Sequence, residues 1–154
     1  LTIYFVRHAK AGDRSSWTGP DSERPLSKAG RRQAQHLGKR LAAVGATALV
    51  SSPYVRCVQS LEPLAERTRL PIAIDERLTE GAAFEGVLEL LAGLAGGAVL
   101  CSHGDVIPDV IDALVRRGLD VRSPADWRKA TVWVLKRNKH GTFTRAVVWG
   151  PPGE

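Results

Sequence analysis

The chain has 154 residues, 44% of them apolar and 25% charged, which fits one compact domain with its own core. Its net charge of +6 favours anionic partners and disfavours none of the phosphorylated classes. No apolar run approaches the roughly 20 residues needed to span a bilayer, so no membrane segment is expected. Cys57 and Cys101 have neither C-x-x-C nor Cys/His ligand spacing, which favours buried, reduced thiols and a cytoplasmic compartment.

In chain order, Leu1 to Val6 is a short apolar, β-favouring run followed at once by polar residues, and it predicts a buried strand. A polar loop follows. Ser27 can then cap a helix with Ala34, Leu37, Leu41 and Val44 on its inner face and Gly45 beyond its end. Ala48 to Val50 predicts a second strand. A helix from about Tyr54 to Thr68 turns Val55, Val58, Leu61 and Leu64 inward, with a kink expected at Pro63. Ile72 to Ile74 suggests an edge strand, and Phe84 to Leu94 another helix.

Ala98 to Cys101 predicts a third buried strand, followed by a helix over Val106 to Arg117 that Asp105 can cap. The tail offers two strands, Thr131 to Lys136 and Phe143 to Val148, joined at Asn138 to Gly141. Strands alternating with helices imply an α/β fold, a three-layer sandwich with a mainly parallel central sheet flanked by helices. Residues 1–154 read as one domain. The opening Leu1 and the lack of any methionine suggest a piece of a longer polypeptide.

In open parallel sheets ligands bind outside the carboxyl ends of the strands. Here those ends are Arg7-His8-Ala9-Lys10, then Ser51-Ser52-Pro53-Tyr54-Val55-Arg56, then Ser102-His103-Gly104-Asp105. Two arginines and two histidines therefore converge on one rim. A guanidinium matches phosphate oxygens bidentately, and imidazole supplies a neutral nucleophile near pH 7 that can carry a phosphoryl group.

The ordered set VRHAK (6–10), RPLSKAGRRQA (24–34), SSPYVRCVQS (51–60) and CSHGD (101–105) resembles the histidine phosphatase (phosphoglycerate mutase-like) superfamily over essentially the whole chain. That resemblance implies a phosphatase working through a phosphohistidine on His8, with Arg7, Arg56 and His103 holding the phosphoryl group. The family often supplies an acid where the leaving group is an alkoxide, although its phosphohistidine-directed members manage without one. Leu78-Thr79-Glu80 offers Glu80, which desolvation beside the pocket could raise toward neutral pH; a solvated loop carboxylate is the alternative, and Glu76 and Glu85 compete. Lys10 and Arg14 could reach a second phosphate or be solvated loop charges. Trp17 is a candidate substrate contact, whereas His36 and His140 are expected in solvent.

The short stretch between Thr68 and Ala98 leaves little to build a lid, as in the small SixA-like phosphohistidine phosphatases. VRCVQSLEPLAE, VIPDVI and RKATVWVL resemble more closely the phosphatase-like domain fused to some actinobacterial MutT-type Nudix hydrolases. An N-terminal Nudix domain in the longer chain is accordingly an expected partner. The expected substrate is a phosphorylated small molecule, a nucleotide or a phosphohistidine protein.

A cysteine phosphatase needs C-x5-R, but Ile107 and Pro63 stand where the arginine should be. No G-x-S-x-G elbow, Walker loop or G-x-G-x-x-G unit is present, and neither a metal nor an organic cofactor is expected. The open rim favours hydrolysis over mutase chemistry. A non-catalytic domain that binds a phosphorylated ligand or a fused partner is the rival reading, and a basic nucleic-acid module ranks third.

Overall fold

A computed structural model describes residues 1–153. Seven strands form one sheet: β1 (Thr2–Arg7), β2 (Ala48–Ser51), β3 (Ile72–Ile74), β4 (Ala98–Ser102), β5 (Asp120–Val121), β6 (Val132–Arg137) and β7 (Phe143–Trp149). Their order is β3-β2-β4-β1-β6-β7-β5. β1, β2, β3 and β4 pair parallel, while β6 runs antiparallel to both its neighbours, so the sheet is mainly parallel as the alternating pattern predicts. The two-residue β5 lies below the length at which side-chain alternation can be recognised.

Alternation along the central strands builds two cores. Ile3 and Phe5 of β1, Leu100 of β4 and Trp133 and Leu135 of β6 face one side. There they meet α3 (Phe84–Ala92) and α4 (Val106–Arg116) through Leu91, Val110 and Ile111. Tyr4, Val6, Val99, Cys101 and Val134 face the other, against α1 (Lys28–Ala43) and α2 (Val55–Thr68). Each fully buried leucine among these contributes about 1.5–3 kcal/mol. The result is the three-layer sandwich.

Several details differ from expectation. Val44 is exposed beyond the end of α1, whose inner face is Ala34, Leu37 and Leu41. The inward residues of α2 are Arg56, Cys57, Ser60, Leu61 and Leu64, with Val55 and Val58 only half-buried. Pro63 does not interrupt α2, and Gly38 of α1 packs against it: a Cβ there would lie 2.9 Å from the Leu64 nitrogen. Asp105 does not cap α4, because its carboxylate accepts the Gly81 N–H at 2.8 Å instead. Ser27 does cap α1, accepting from the Gly30 N–H at 3.1 Å. His36 and His140 are exposed, and Cys57 and Cys101 are free buried thiols.

Candidate active site

Register brings the three strand ends together. Arg7 lies beside Ser102, and Ser51 beside Cys101. Beyond the ladders, the His8 N–H donates to the Ser102 carbonyl at 3.1 Å and the Ser52 N–H to the Cys101 carbonyl at 3.0 Å. The loops carrying His8, Ser52 and His103 thus leave the sheet side by side, although about 95 residues separate the two histidines.

His8 is 5% exposed. Its Nδ1 lies 2.8 Å from the Ala9 carbonyl, which can only accept, so Nδ1 carries the proton and Nε2 keeps its lone pair. Burial pushes the His8 pKa down to about 3; the Ala9 hydrogen bond opposes this, and the charges of His103, Arg56 and Arg7 reinforce it. The ring is therefore neutral at physiological pH. Its loop is tied to α2 through Ser60, whose hydroxyl accepts the Ala9 N–H at 2.8 Å and donates to the Arg56 carbonyl at 2.6 Å.

Arg56 is 1% exposed, and its guanidinium donates to the Asp21 carbonyl and carboxylate at 3.0 and 3.1 Å and to Glu80 at 3.4 Å. Asp21 also accepts from Arg24 Nε at 3.0 Å. Burial opposes ionisation of Asp21, but these guanidinium groups outweigh it and bring the carboxyl below its ordinary value. Arg7 stands over Gly104 and donates to the Trp127 carbonyl at 2.5 Å, while its buried Nε has no partner among the described residues.

His103 is packed behind His8, with ring centroids 5.5 Å apart and the rings edge to face. Its Nε2 meets the Ser52 hydroxyl at 2.8 Å, and its Nδ1 is buried without a partner among the described residues. Orphaned buried nitrogens carry a desolvation cost of about 1–3 kcal/mol each. At Arg7, which lines the cleft, a phosphoryl oxygen would remove that cost; His103 is 1% exposed and sits behind the cleft wall rather than in its lining.

A cleft of about 190 Å³ opens over these groups, lined among others by Arg7, His8, Arg14, Arg24, Arg56 and Glu80. Glu80 is held at the wall because Ser102 bonds the Leu78 carbonyl and Asp105 bonds the Gly81 N–H. Its side chain is 38% exposed and faces Arg56, so the enclosure expected of it is absent. Glu76 and Glu85 are exposed and do not line the cleft. Lys10 lines a neighbouring cleft instead, and Trp17 lies outside both, its indole bonded to the Pro20 carbonyl.

Sequence reasoning missed Asp21, Ser52, Ser60 and Lys129. Ser52 and Ser60 sit inside a motif that was read for its arginine, and Arg24 opens another. Lys129 sits inside RKATVWVL, a string noted for its resemblance and not for its charge, and Asp21 carries no local signal at all. Among the described residues no group of three or more His, Cys, Asp or Glu side chains could hold a metal ion, and no helix is long and apolar enough to cross a membrane.

A cleft at the carboxyl rim of a mainly parallel sheet, built on a neutral histidine among guanidinium groups, defines the class of site used to handle phosphoryl groups. The chain belongs to the histidine phosphatase superfamily (branch 1), whose model matches residues 3–89. It is 39% identical over 160 residues to an 8-oxo-(d)GTP phosphatase of Mycolicibacterium smegmatis, covering 99% of this chain and 49% of that relative. It therefore spans about half the length of that curated relative.

Among solved structures, the protein histidine phosphatase SixA complexed with tungstate superposes with a TM-score of 0.77 at 20% identity, covering 94% of this chain and 93% of that one. A mycobacterial glucosyl-3-phosphoglycerate phosphatase complexed with VO3 gives 0.72 at 18% identity, covering 97% and 99%. Both share the phosphoglycerate mutase-like fold.

Proposed function

We propose that this chain hydrolyses a phosphorylated substrate through a phosphohistidine formed on Nε2 of His8. The observation that carries this reading is the fixed tautomer: with the Nδ1 proton committed to Ala9, the lone pair on Nε2 is available beside Arg7 and Arg56. Nε2 attacks phosphorus in line, the P–N bond forms as the P–O bond to the leaving group breaks, and water then attacks the phosphohistidine to release phosphate. As charge develops on the equatorial oxygens, Arg7, Arg56 and the Nδ1 of His103 act as preorganised donors. In this reading Glu80 protonates an alkoxide leaving group and later takes a proton from the water, and Arg14 lies at the mouth for an additional anionic group.

Hydrolysis rather than return of the phosphoryl to a second hydroxyl follows from the exposed mouth, where the Arg14 side chain is 73% exposed. The substrate is a phosphorylated small molecule, a nucleotide or a phosphohistidine protein; the similarity to a relative named for 8-oxo-(d)GTP supports the nucleotide class. The resemblance carried by VRCVQSLEPLAE, VIPDVI and RKATVWVL is what supports the further reading that a Nudix-type domain accompanies this one in a longer chain, and the two free buried thiols suit a cytoplasmic setting.

The test is to incubate the protein with p-nitrophenyl phosphate and trap the enzyme. An acid-labile, base-stable phosphoenzyme is expected, absent from His8→Ala. A wild type with neither phosphoenzyme nor turnover of any phosphate compound would replace this reading with that of a non-catalytic binding domain.

A further inference from the structure

We propose that Lys129 and Lys10 form a second anion subsite beside the His8 cleft, and that the site takes a phosphoanhydride: a nucleoside di- or triphosphate or another chain of at least two linked phosphates. This deepens the phosphohistidine reading and rests on it.

The His8 cleft adjoins a second one of about 370 Å³, lined by Arg7, Lys10, Gln33, Lys129 and Pro151 among others. Arg7 and Lys129 line both, so the two spaces meet across them. A substrate whose terminal phosphoryl faces His8 would carry its next phosphate past this pair.

Lys129 is placed there by the backbone. Ala130 is fully buried with φ +64°, a left-handed conformation that L-residues avoid, and its N–H donates to the carbonyls of both Arg7 and His8 at 3.1 Å. On the far side, the Arg7 N–H donates to the Thr131 carbonyl at 3.1 Å. The residue preceding Ala130 is thereby locked to the end of the catalytic strand.

The charges around it are unbalanced. Asp21 engages Arg14, Arg24 and Arg56, Glu80 engages Arg56, and Asp105 accepts from the Gly81 N–H. Among the described residues the ammonium groups of Lys10 and Lys129 have no hydrogen-bond or ion-pair partner. Lys129 is exposed, and partial desolvation beside the cleft lowers its pKa, with the charges of Arg7, Arg24, Lys10 and Arg14 lowering it further. Glu80 and Asp105 also line the His8 cleft, and Asp105 acts on Arg7, but no carboxylate among the described residues pairs with either lysine; the two ammonium groups and Arg7 repel one another, and a multiply charged anion relieves that repulsion. A single phosphoryl group already has Arg7, Arg56 and His103; the two lysines are surplus to it.

The leaving group agrees with this assignment. In an anhydride, Nε2 of His8 attacks the terminal phosphorus, the P–N bond forms, and the bridging P–O bond breaks with its electron pair passing to the shortened phosphate. Water then cleaves the P–N bond to give inorganic phosphate. A phosphate leaves without being protonated, so the reaction does not depend on an enclosed acid, and Glu80 is exposed and paired with Arg56.

The experiment compares kcat/KM for tripolyphosphate and for p-nitrophenyl phosphate in wild type, Lys129→Gln and Lys129→Arg, with thermal midpoints to confirm folding. The expected result is that Lys129→Gln lowers the ratio of the two values at least fivefold and Lys129→Arg restores most of it. A smaller change in the ratio, in a protein that still forms the His8 phosphoenzyme, overturns the second subsite. Absence of a phosphoenzyme from either substrate overturns the His8 reading, and this inference with it.

Discussion

Gly104 and Arg7 are in contact so close that a Cβ on Gly104 would fall 2.5 Å from the Arg7 guanidinium carbon. The glycine after His103 is therefore a seat for the arginine before His8. Gly104→Ala must push that guanidinium aside, and misplacing a charged donor by about 1 Å costs on the order of 100-fold in rate. We expect kcat/KM for p-nitrophenyl phosphate to fall about that far with a thermal midpoint near that of wild type. Unimpaired turnover would show that Arg7 does not hold the phosphoryl group.

The His8 pKa, lowered to about 3 from 6.5, has a consequence for stability. Between those values the unfolded chain binds a proton at this position and the folded one does not. The stabilisation is thus fully present above pH 6.5 and is lost as pH falls toward 3, at up to about 1.4 kcal/mol per pH unit. Urea unfolding across this window should show a shallower decline in His8→Gln than in wild type. Parallel declines would mean that the folded protein admits the imidazolium.

Glu80 separates two roles by leaving group. If it donates a proton, Glu80→Gln loses activity chiefly on alkyl phosphates, where an alkoxide departs, and much less on p-nitrophenyl phosphate. We expect a difference of about tenfold or more between the two substrates. Equal losses would reduce Glu80 to a group that positions Arg56.

Gly30 lies where α1 meets the His8 loop, and a Cβ there would come within 1.9 Å of the Lys10 carbonyl oxygen. No side-chain rotation relieves a clash with backbone. Gly30→Ala should cost about 1–3 kcal/mol and shift the Ser27–Lys10 contacts, measurable as a lower urea midpoint together with weakened turnover. Unchanged stability would mean that α1 can slide at its amino end.

The strand ends were legible because each is a contiguous string: an apolar run, then Arg7-His8, Ser51-Ser52 or Ser102-His103. The helix periods were legible for the same reason where the inner face is wholly apolar, as in α1 up to Leu41. α2 misled because the side that faces the sheet near the site carries Arg56, Cys57 and Ser60, so reading its apolar residues alone selected Val55 and Val58, which lie at the margin. Asp105 stands where a capping residue belongs, yet a competing partner, the Gly81 N–H, lies across the loop. Asp21 and Lys129 reach the site through folding alone, from a loop ahead of α1 and from the approach to β6; nothing adjacent to Asp21 marks it, and the RKATVWVL string around Lys129 does not show that its ammonium faces the cleft.

The position of β1 between β4 and β6 sets an order of events during synthesis. Both neighbours are made after residue 97, so the segment bearing the nucleophile emerges from the ribosome long before either flank exists to pair with it. Ile3, Phe5 and Val6, all fully buried in the finished protein, must meanwhile wait with their side chains uncovered and their backbone groups bonded only to water. A nascent chain halted before β6 would hold the opening Arg-His motif but lack the Ala130 anchor, and would present an apolar strand edge on which other chains could assemble.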